Sequence, residues 1–285
     1  MKYLGLDGGG THLRATVLDD AKVIYSKKIN KGVNLTSNTE KHIKETFLEL
    51  KNDIDEIEHI CASFSGAGTI KRKKLLKSIL NEVFKSKKIT IYHDAEGILH
   101  SSVKNRGIVV ISGTGSVVFA KNGDQLKRSG GWGHLFSDKC SGYWFGLRVI
   151  QEIFNYRDGL REYDEIFEKL LNHFSTKEIE DLTDLQNRKD FKTYIASFSK
   201  VIFSNITPLV KSIIEEGLND LIPRCQQMMN FSNSSKVYVH GGVFNSEYFM
   251  KEFKSKLKNA EIDYSAKNID YNMALIAKRK AFEEE

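Results

Sequence analysis

The chain has 285 residues and a formal net charge of +6, with 40% hydrophobic and 28% charged residues. That length allows one large domain or two of ordinary size, and the composition is typical of a soluble globular protein. No segment approaches the roughly 20 apolar residues of a membrane-spanning helix, and the N-terminus enters a strand pattern instead of a signal peptide. We therefore expect a cytoplasmic protein without a membrane partner.

Cysteine spacing and the distribution of charge exclude further classes. Cys61, Cys140 and Cys225 are odd in number and far apart, which gives neither a disulfide framework nor a metal-binding knuckle. The lysines are scattered over predicted helices without clustered arginine and aromatic residues. This pattern favours a solvated basic face over a nucleic-acid surface, so we expect no nucleic-acid partner.

The first hundred residues predict a mixed sheet with helices on its faces. Strands show a two-residue period, and Ile43, Phe47 and Leu50 recur at helical spacing. The predicted elements are strands YLGLD, LRATVLD and KVIYSKKI, a helix over about 38–51, strand HICASFSG, a helix through KKLLKSILNEVF, and strand KITIYHDAEG.

The second part of the chain repeats this beginning. GIVVISGTGSVVFAKNGDQL again predicts a strand, a turn of small residues and a strand, about a hundred residues downstream, as an internal duplication would leave. Helical patterns dominate from Ser141 to about Asn230 and indicate an insertion. The remaining predicted elements are strand KVYVH, a Gly-Gly turn, a helix from near Asn245, strand EIDYSA, and a final helix through MALIAKRKAF.

The segment DGGGTH, residues 7–12, predicts a hairpin turn. Leu13, Ala15 and Val17 follow it at the two-residue period of a strand, whereas Walker and dinucleotide loops lead into a helix. Three glycines leave backbone N–H groups accessible to a bulky anion. The segment alone is equally compatible with a phosphate site and with an ordinary tight turn.

Four segments together resemble a known family: DGGGT, HDAEG, SGTGS with the nearby GGWGHLFSD, and VYVHGGVFNS. Their order and spacing are similar to the sugar kinase, Hsp70 and actin superfamily, and within it to the N-acetylglucosamine kinase and BadF-type ATPase family. The resemblance implies an α/β, duplicated actin-like (ribonuclease H-like) fold of two lobes. The first lobe would be 1–105 with a C-terminal helix at about 272–285, and the second 106–271 with a helical insertion at about 141–230.

The resemblance also implies an ATP-dependent sugar kinase that uses Mg²⁺. Its activity would be in-line phosphoryl transfer to an amino sugar as the lobes close, foremost to the 6-hydroxyl of N-acetylglucosamine. Glucosamine, N-acetylmuramic acid or a related hexose would be other acceptors. The partners would be the sugar and ATP, and the sequence allows a homodimer.

The implied roles fall on particular residues. Asp94 would be the general base, and Asp7 would hold Mg²⁺ through its waters. The ATP-binding residues would be Gly8, Gly9, Gly10, Thr11, Gly113, Thr114, Gly241 and Gly242. The sugar-binding residues would be Asn34, Asp94, Gly115, Ser116, Gly131, Trp132 and Asp138.

Each polar member of this set has an ordinary structural alternative. Asp7 and Asn34 are common turn residues, Asp94 could be a helix N-cap, and Asp138 could cap the helix that starts near Ser141. The sequence alone leaves these alternatives open.

The chain departs from the family pattern in two places. SDKCS stands where the family has Gly-Asp-Glu-Gly-Ser, which leaves the identity of the sugar open, and YNMALIA replaces a glycine-containing helix start. One rival function is an activator ATPase with a cysteine-bound iron–sulfur cluster at a dimer interface, but Cys61 and Cys140 do not form a plausible pair for it. The other is a non-catalytic sugar-binding regulator, which would carry an added DNA-binding module that this chain is not expected to have.

Overall fold

The computed structural model of the chain divides into two compact units. The first unit consists of Met1–Lys104 and Ala266–Glu285, and the second is Asn105–Ser265. The division inferred from the sequence places the second boundary at 271 rather than 265.

The structure describes residues 1–86 and 88–282, which hold two groups of five strands. The strands are β1 (Lys2–Gly8), β2 (Leu13–Asp19), β3 (Lys22–Ile29), β4 (His59–Phe64), β5 (Lys88–His93), β6 (Arg106–Ser112), β7 (Ser116–Asn122), β8 (Gln125–Gly130), β9 (Lys236–His240) and β10 (Glu261–Tyr264). The α-helices are α1 (Glu40–Lys51), α2 (Ile70–Phe84), α3 (Asp94–Ser102), α4 (Gly142–Arg157), α5 (Ile166–Phe174), α6 (Phe191–Ser197), α7 (Ser199–Ser204), α8 (Pro208–Ser232), α9 (Glu247–Lys256) and α10 (Ile269–Phe282). Short 3₁₀ helices span Glu180–Asn187 and Gly242–Asn245.

The two sheets have the same topology. The first has the strand order β3-β2-β1-β4-β5, and the second, read from the matching edge, has the order β8-β7-β6-β9-β10. In each sheet the first three strands are joined by antiparallel hairpins, and the last two are parallel to the first strand of the unit. The duplicated α/β architecture expected from the sequence is therefore confirmed.

Five helices begin at a serine or threonine whose side chain accepts a backbone N–H three residues further on. These N-cap residues are Thr39, Thr69, Ser141, Thr207 and Ser246. Each hydroxyl satisfies one of the N–H groups that a helix start leaves without an intrahelical partner. The hydroxyl positions in the sequence therefore fix where these helices begin.

Three details differ from the sequence-based expectation. The hairpin after residue 106 continues into a third strand, β8, because Gly123 turns the chain with a φ of +60°. The strand written as KITIYHDAEG ends at His93, and its last four residues open α3. Helix α2 begins at Ile70, just after its cap at Thr69, rather than at the first lysine pair of KKLLKSILNEVF.

The final helix belongs to the first unit, where α10 packs on β1. A Cβ atom at Gly5 would lie 1.9 Å from the carbonyl oxygen of Asp270, so the helix can approach this closely only over a glycine. Thr16 also donates a hydrogen bond from its hydroxyl to Oδ2 of Asp270 at 2.6 Å. Close packing of α10 thus depends on a glycine of the strand, although the helix start itself lacks the family's glycine.

Each unit has its own hydrophobic core. The first core lies between the first sheet and α1 and α2, and the second includes buried residues from α4 to α9. Helices α4 to α8 stand between β8 and β9 in the chain, as an insertion would. Among the described residues, no helix is both long and apolar enough to cross a membrane.

Candidate functional site

The first glycine turn joins β1 to β2 as an antiparallel hairpin. Gly8 pairs with Leu13, and the N–H of Gly9 donates to the carbonyl of His12 at 3.0 Å. Nothing lies within 4 Å of where a Cβ atom would stand on Gly9 or Gly10, so there is open space on that side of the turn. The hairpin predicted from the sequence is confirmed, and an anion could approach its N–H groups.

Asp7 lies at the end of β1, immediately before this turn, with Nη1 of Arg14 3.5 Å from its Oδ2. Burial raises the pKa of Asp7 to about 6, Arg14 opposes this, and Asp270 and Asp94 add to the rise. A buried carboxylate whose ionisation is unfavourable gains most from a bound cation. The described residues contain no group of three or more His, Cys, Asp and Glu that could hold a metal ion.

Ser65 connects the glycine turn to Asp94. Its N–H donates to the carbonyl of Gly8 at 2.8 Å, and its hydroxyl donates to Oδ2 of Asp94 at 2.6 Å. These residues follow or end the parallel strands β1, β4 and β5, whose carboxyl ends meet at one edge of the sheet. The structure therefore brings together two of the sequence-predicted segments through a residue that the sequence analysis did not select.

Asp94 is the first residue of α3, and its side chain is 41% exposed. The N-cap of α3 is His93, so the alternative interpretation of Asp94 as the N-cap is wrong. Burial favours a raised pKa, but hydrogen bonds from His93, Ser65 and the Ala95 N–H outweigh it and lower the pKa of Asp94. The carboxylate is therefore ionised at neutral pH and accessible to a ligand.

Asn34 lies against the segment that follows β4. Gly66 has a φ of +81°, and a Cβ atom on it would stand 2.2 Å from Oδ1 of Asn34. Oδ1 also accepts the N–H and the hydroxyl of Thr36, at 2.9 and 2.7 Å. The adjacent Val33 donates its N–H to the carbonyl of Gly9. Asn34 therefore has the turn role that the sequence left open, and its loop is attached to the first glycine turn.

The second glycine turn, in the second unit, joins β6 to β7. Ser112 pairs with Ser116 across it, and the N–H of Gly113 donates to the carbonyl of Gly115 at 3.0 Å. Gly113 in turn accepts the N–H of Gly142 at 2.7 Å. The hydroxyl of Ser112 donates to the carbonyl of Cys140, and the hydroxyl of Ser116 donates to the carbonyl of Lys139. The turn and the start of α4 therefore form one connected structure.

A cavity of about 540 Å³ lies in the second unit beside this turn. Gly113, Thr114, Gly242, Val243, Asn245 and Ser246 line one part of it, and Thr193, Ala196, Ser197, Ser199, Lys200, Phe203 and Ser204 line the rest. Its volume suits a nucleoside-sized ligand. The glycine side of the cavity was predictable from sequence motifs, whereas the side contributed by α6 and α7 was not, because its residues belong to no motif.

Gly241 must be a glycine for two reasons. Its φ is +105°, and a Cβ atom would stand 2.3 Å from the carbonyl oxygen of Ser112. Around Gly242, in contrast, nothing lies within 4 Å of the Cβ position. The end of β9 therefore packs backbone to backbone on β6 and leaves open space beside the cavity.

The GGWG loop presents its tryptophan to solvent. Trp132 is 66% exposed, and the guanidinium of Arg128 lies 3.9 Å from the centre of its ring. Gly131 has a φ of +71°, and a Cβ atom on it would stand 2.8 Å from Cγ2 of Val117. The loop conformation therefore requires glycine at 131, and the indole remains available for a flat apolar ligand face.

Asp138 is a buried carboxylate, with 6% of its side chain exposed. It accepts the N–H of Gly133 at 3.2 Å, and Nζ of Lys192 lies 3.6 Å from Oδ2. The cap of α4 is Ser141, so the alternative that Asp138 caps this helix is wrong. Lys192, from α6, contacts this loop and, like Ser65, was not predicted from the sequence.

Cys140 occupies a position where the resembled family has glycine. Its φ is +62°, a conformation that L residues rarely adopt, and its side chain is fully buried. Gly217 makes room for it, because a Cβ atom on Gly217 would stand 3.2 Å from Sγ of Cys140. All three cysteines of the chain are buried, and burial raises the pKa of each thiol, which disfavours the thiolate that a metal cluster needs.

The chain belongs to the BadF/BadG/BcrA/BcrD ATPase family, whose model matches residues 4–274. It is 31% identical over 280 residues to the N-acetylmuramic acid/N-acetylglucosamine kinase of Clostridium acetobutylicum, with 90% of each chain covered. It is 25% identical to the N-acetyl-D-glucosamine kinase of Dictyostelium discoideum, covering 96% of this chain and 97% of that one.

Solved structures share the fold. A candidate N-acetylglucosamine kinase from Porphyromonas gingivalis superposes with a TM-score of 0.74 at 18% identity, covering 99% of both chains. A ROK hexokinase from Thermus thermophilus gives a TM-score of 0.59 at 12% identity, covering 99% of this chain and all of that one. The fold is therefore the two-lobe, actin-like fold of sugar kinases, as the sequence resemblance implied.

Proposed function

We propose that the chain is an ATP-dependent amino-sugar kinase that phosphorylates the 6-hydroxyl of N-acetylglucosamine or a close relative of it. The observation that carries the proposal is the accessible, ionised carboxylate of Asp94, which Ser65 connects to the backbone of the first glycine turn. A base held beside a phosphate-binding turn is what phosphoryl transfer to a hydroxyl requires. The curated relatives that are kinases of amino sugars support the choice of acceptor.

ATP would use backbone donors and the cavity of the second unit. The residues that we propose as phosphate-binding are Gly8, Gly9, Gly10 and Thr11 in the first unit and Gly113 and Thr114 in the second. The adenosine would occupy the 540 Å³ cavity beside Gly241 and Gly242. Lys200 and Asn245 would be additional contacts that follow from the lining of the cavity.

Mg²⁺ would be held by Asp7. The pKa of about 6 supports this, because a cation would relieve the cost of the buried charge. When bound with ATP, the ion supplies electrostatic stabilisation of the phosphates. Asp7 would hold the ion through hydrogen bonds from its water ligands.

The residues that we propose as sugar-binding are Asn34 and Asp94 in the first unit and Gly115, Ser116, Gly131, Trp132 and Asp138 in the second. Asp138 would accept hydrogen bonds from sugar hydroxyls, since it is a carboxylate held in place by the Gly133 N–H. Asp94 would accept the proton of the attacking hydroxyl. The hydroxyl oxygen would bond to the γ-phosphorus as ADP departs.

The test is an assay of ADP release with a panel of acceptors. Glucose, glucosamine, N-acetylglucosamine, N-acetylmannosamine and N-acetylmuramic acid would each be offered with Mg-ATP, and the phosphorylated product would be identified by mass spectrometry. We expect ADP release that depends on an N-acetylated amino sugar. Hydrolysis that is independent of sugar, or sugar binding without turnover, would reject the kinase in favour of an ATPase or a regulator.

We further propose that the protein acts in the cytoplasm with the sugar and ATP as its partners, without nucleic acid or membrane. The homodimer remains a prediction, and light scattering of the purified chain would test it.

A further inference from the structure

The imidazole of His93 lies directly against the carboxylate of Asp94. Nδ1 of His93 is 2.9 Å from Oδ1 of Asp94, and the same oxygen accepts the N–H of Ala95 at 2.8 Å. The other oxygen, Oδ2, accepts the hydroxyl of Ser65 at 2.6 Å. A carboxylate oxygen accepts about two hydrogen bonds. Within the described part of the chain, Oδ1 is therefore filled, whereas Oδ2 can accept one more.

The ring of His93 is itself held in place. His93 ends β5 and caps α3, and its N–H donates to Oε2 of Glu96 at 2.9 Å. The same Oε2 accepts Nζ of Lys73 at 2.6 Å. The ring lies beside Gly68, where a Cβ atom would stand 3.6 Å from Cδ2 of the imidazole. The backbone of His93 is therefore held by Glu96, and its imidazole lies between Gly68 and Asp94.

We propose that His93 is a positioning residue for Asp94, whose imidazole holds Oδ1 and so leaves Oδ2 directed at the sugar hydroxyl. The inference rests on the proposed kinase function. In the step that it assists, the O–H bond of the acceptor breaks, and the proton goes to Oδ2. The acceptor oxygen forms a bond to the γ-phosphorus, and the bond from that phosphorus to ADP breaks with its electron pair retained by ADP.

The charged groups around His93 make its contribution depend on pH. The hydrogen bond to Asp94 raises the pKa of His93 above its usual 6.5, burial opposes this, Glu96 adds to the rise, and Lys73 opposes it. Protonated His93 stabilises the Asp94 carboxylate and makes it a weaker base. Neutral His93 still donates a hydrogen bond from Nδ1 but stabilises the carboxylate less, so Asp94 is then a stronger base. Turnover should therefore increase as the pH rises through the pKa of His93.

The test compares His93→Asn with His93→Leu. The asparagine amide nitrogen can take the place of Nδ1 as a donor but does not titrate, and leucine keeps volume without a donor. We expect His93→Leu to lower kcat about 10- to 100-fold, with the KM for sugar and for ATP nearly unchanged, because a misdirected base slows only the chemical step. His93→Asn should keep most of kcat and lose the acid-side inflection in the pH profile.

The kinetic pH profile is measured at saturating Mg-ATP, so that the bound cation keeps Asp7 ionised throughout. A second measurement does not need turnover: the imidazole C–H signals of His93, assigned by their absence in His93→Asn, should titrate above pH 6.5 in the wild type and at a lower pH in Asp94→Asn.

The outcomes separate this inference from the proposed function. If the wild type phosphorylates a sugar but His93→Leu keeps its kcat and pH profile, the positioning role is rejected and the kinase stands. If no sugar is phosphorylated, the kinase is rejected. In that case, a His93 titration unaffected by Asp94→Asn would also reject the contact on which the positioning role depends.

Discussion

A Cβ atom on Gly115 would stand 2.7 Å from Oδ2 of Asp138. The second glycine turn and the buried carboxylate of the neighbouring loop are therefore so close that a single added methyl group would displace one of them. Nζ of Lys192 lies 3.6 Å from the same oxygen and 3.8 Å from the Cβ position of Gly115. The position of this carboxylate is thus set by the absence of a side chain at 115.

Gly115→Ala should accordingly weaken sugar use more than ATP use. We expect kcat/KM for the sugar to fall by about 10-fold or more, the scale of a displaced hydrogen-bonding group. Gly113→Ala is the matched control on the same turn, since nothing lies within 4 Å of its Cβ position. It should fold as well as the wild type and affect the KM for ATP instead. Equal effects of both variants on both substrates would contradict this division of the turn.

Asp94→Asn should lower turnover by about 100-fold or more, the scale of the loss of a general base, and leave ATP binding nearly intact. The amide is close in size to the carboxylate but cannot accept the proton. ATP affinity by calorimetry and kcat by ADP release are the measurements. Glu82→Gln is the control, because Glu82 is an exposed carboxylate of α2 that pairs with Lys44. Normal turnover by the Asp94→Asn enzyme would show that Asp94 is not the general base.

Asp7→Asn should make the metal-free protein more stable above pH 6 while it abolishes the kinase reaction. The folded-state pKa of Asp7 is raised from 3.8 to about 6, so the folded state disfavours the ionised form. The native protein is therefore destabilised progressively as the pH rises from about 4 to 6, and the penalty is complete above that range. The gain from asparagine at pH 7.5 would be about 1–3 kcal/mol.

Thermal unfolding of both proteins at pH 4 and at pH 7.5 in a chelating buffer checks this sign. The two melting temperatures should be similar at pH 4 and diverge at pH 7.5 in favour of Asp7→Asn. A variant that is less stable at both values would show that the pairing of Asp7 with Arg14 outweighs the cost of its burial.

Lys192→Met and Lys200→Met should affect different substrates, although the two lysines lie on neighbouring helices. Lys192 approaches the Asp138 carboxylate, so its loss should lower kcat/KM for the sugar by about 10-fold. Lys200 lines the cavity assigned to adenosine, so its loss should raise the KM for ATP. Steady-state kinetics with each substrate varied in turn distinguish the two, and each variant is the control for the other.

The sequence predicted those parts of the fold that depend on local pattern. The first glycine turn was recognisable as a hairpin because the residues after it alternate at the period of a strand, and the duplication was recognisable because a similar turn recurs. The sequence predicts a helix from near Asn245, and in the structure α9 begins at Glu247 with Ser246 as its N-cap. The fold class followed once these segments were considered together.

The missed residues depend on contacts between distant segments. Ser65 joins Gly8 to Asp94 only because β1, β4 and β5 lie side by side, and a serine after a strand has no distinctive pattern. Lys192 and Lys200 reach their neighbours through the packing of helices, where a lysine looks like any solvated charge. The sequence left open that Asp94 or Asp138 caps a helix, because a helix boundary can move by a few residues without changing the periodicity.

The packing of α10 on β1 has a consequence for the synthesis of the chain. The two elements lie at opposite ends of the first unit's sequence, with the whole second unit between them. Translation releases the second unit as one uninterrupted stretch, which can fold while the ribosome is still at work. The first unit must keep the face of β1 around Gly5 uncovered until α10 emerges, so it is the later of the two to mature.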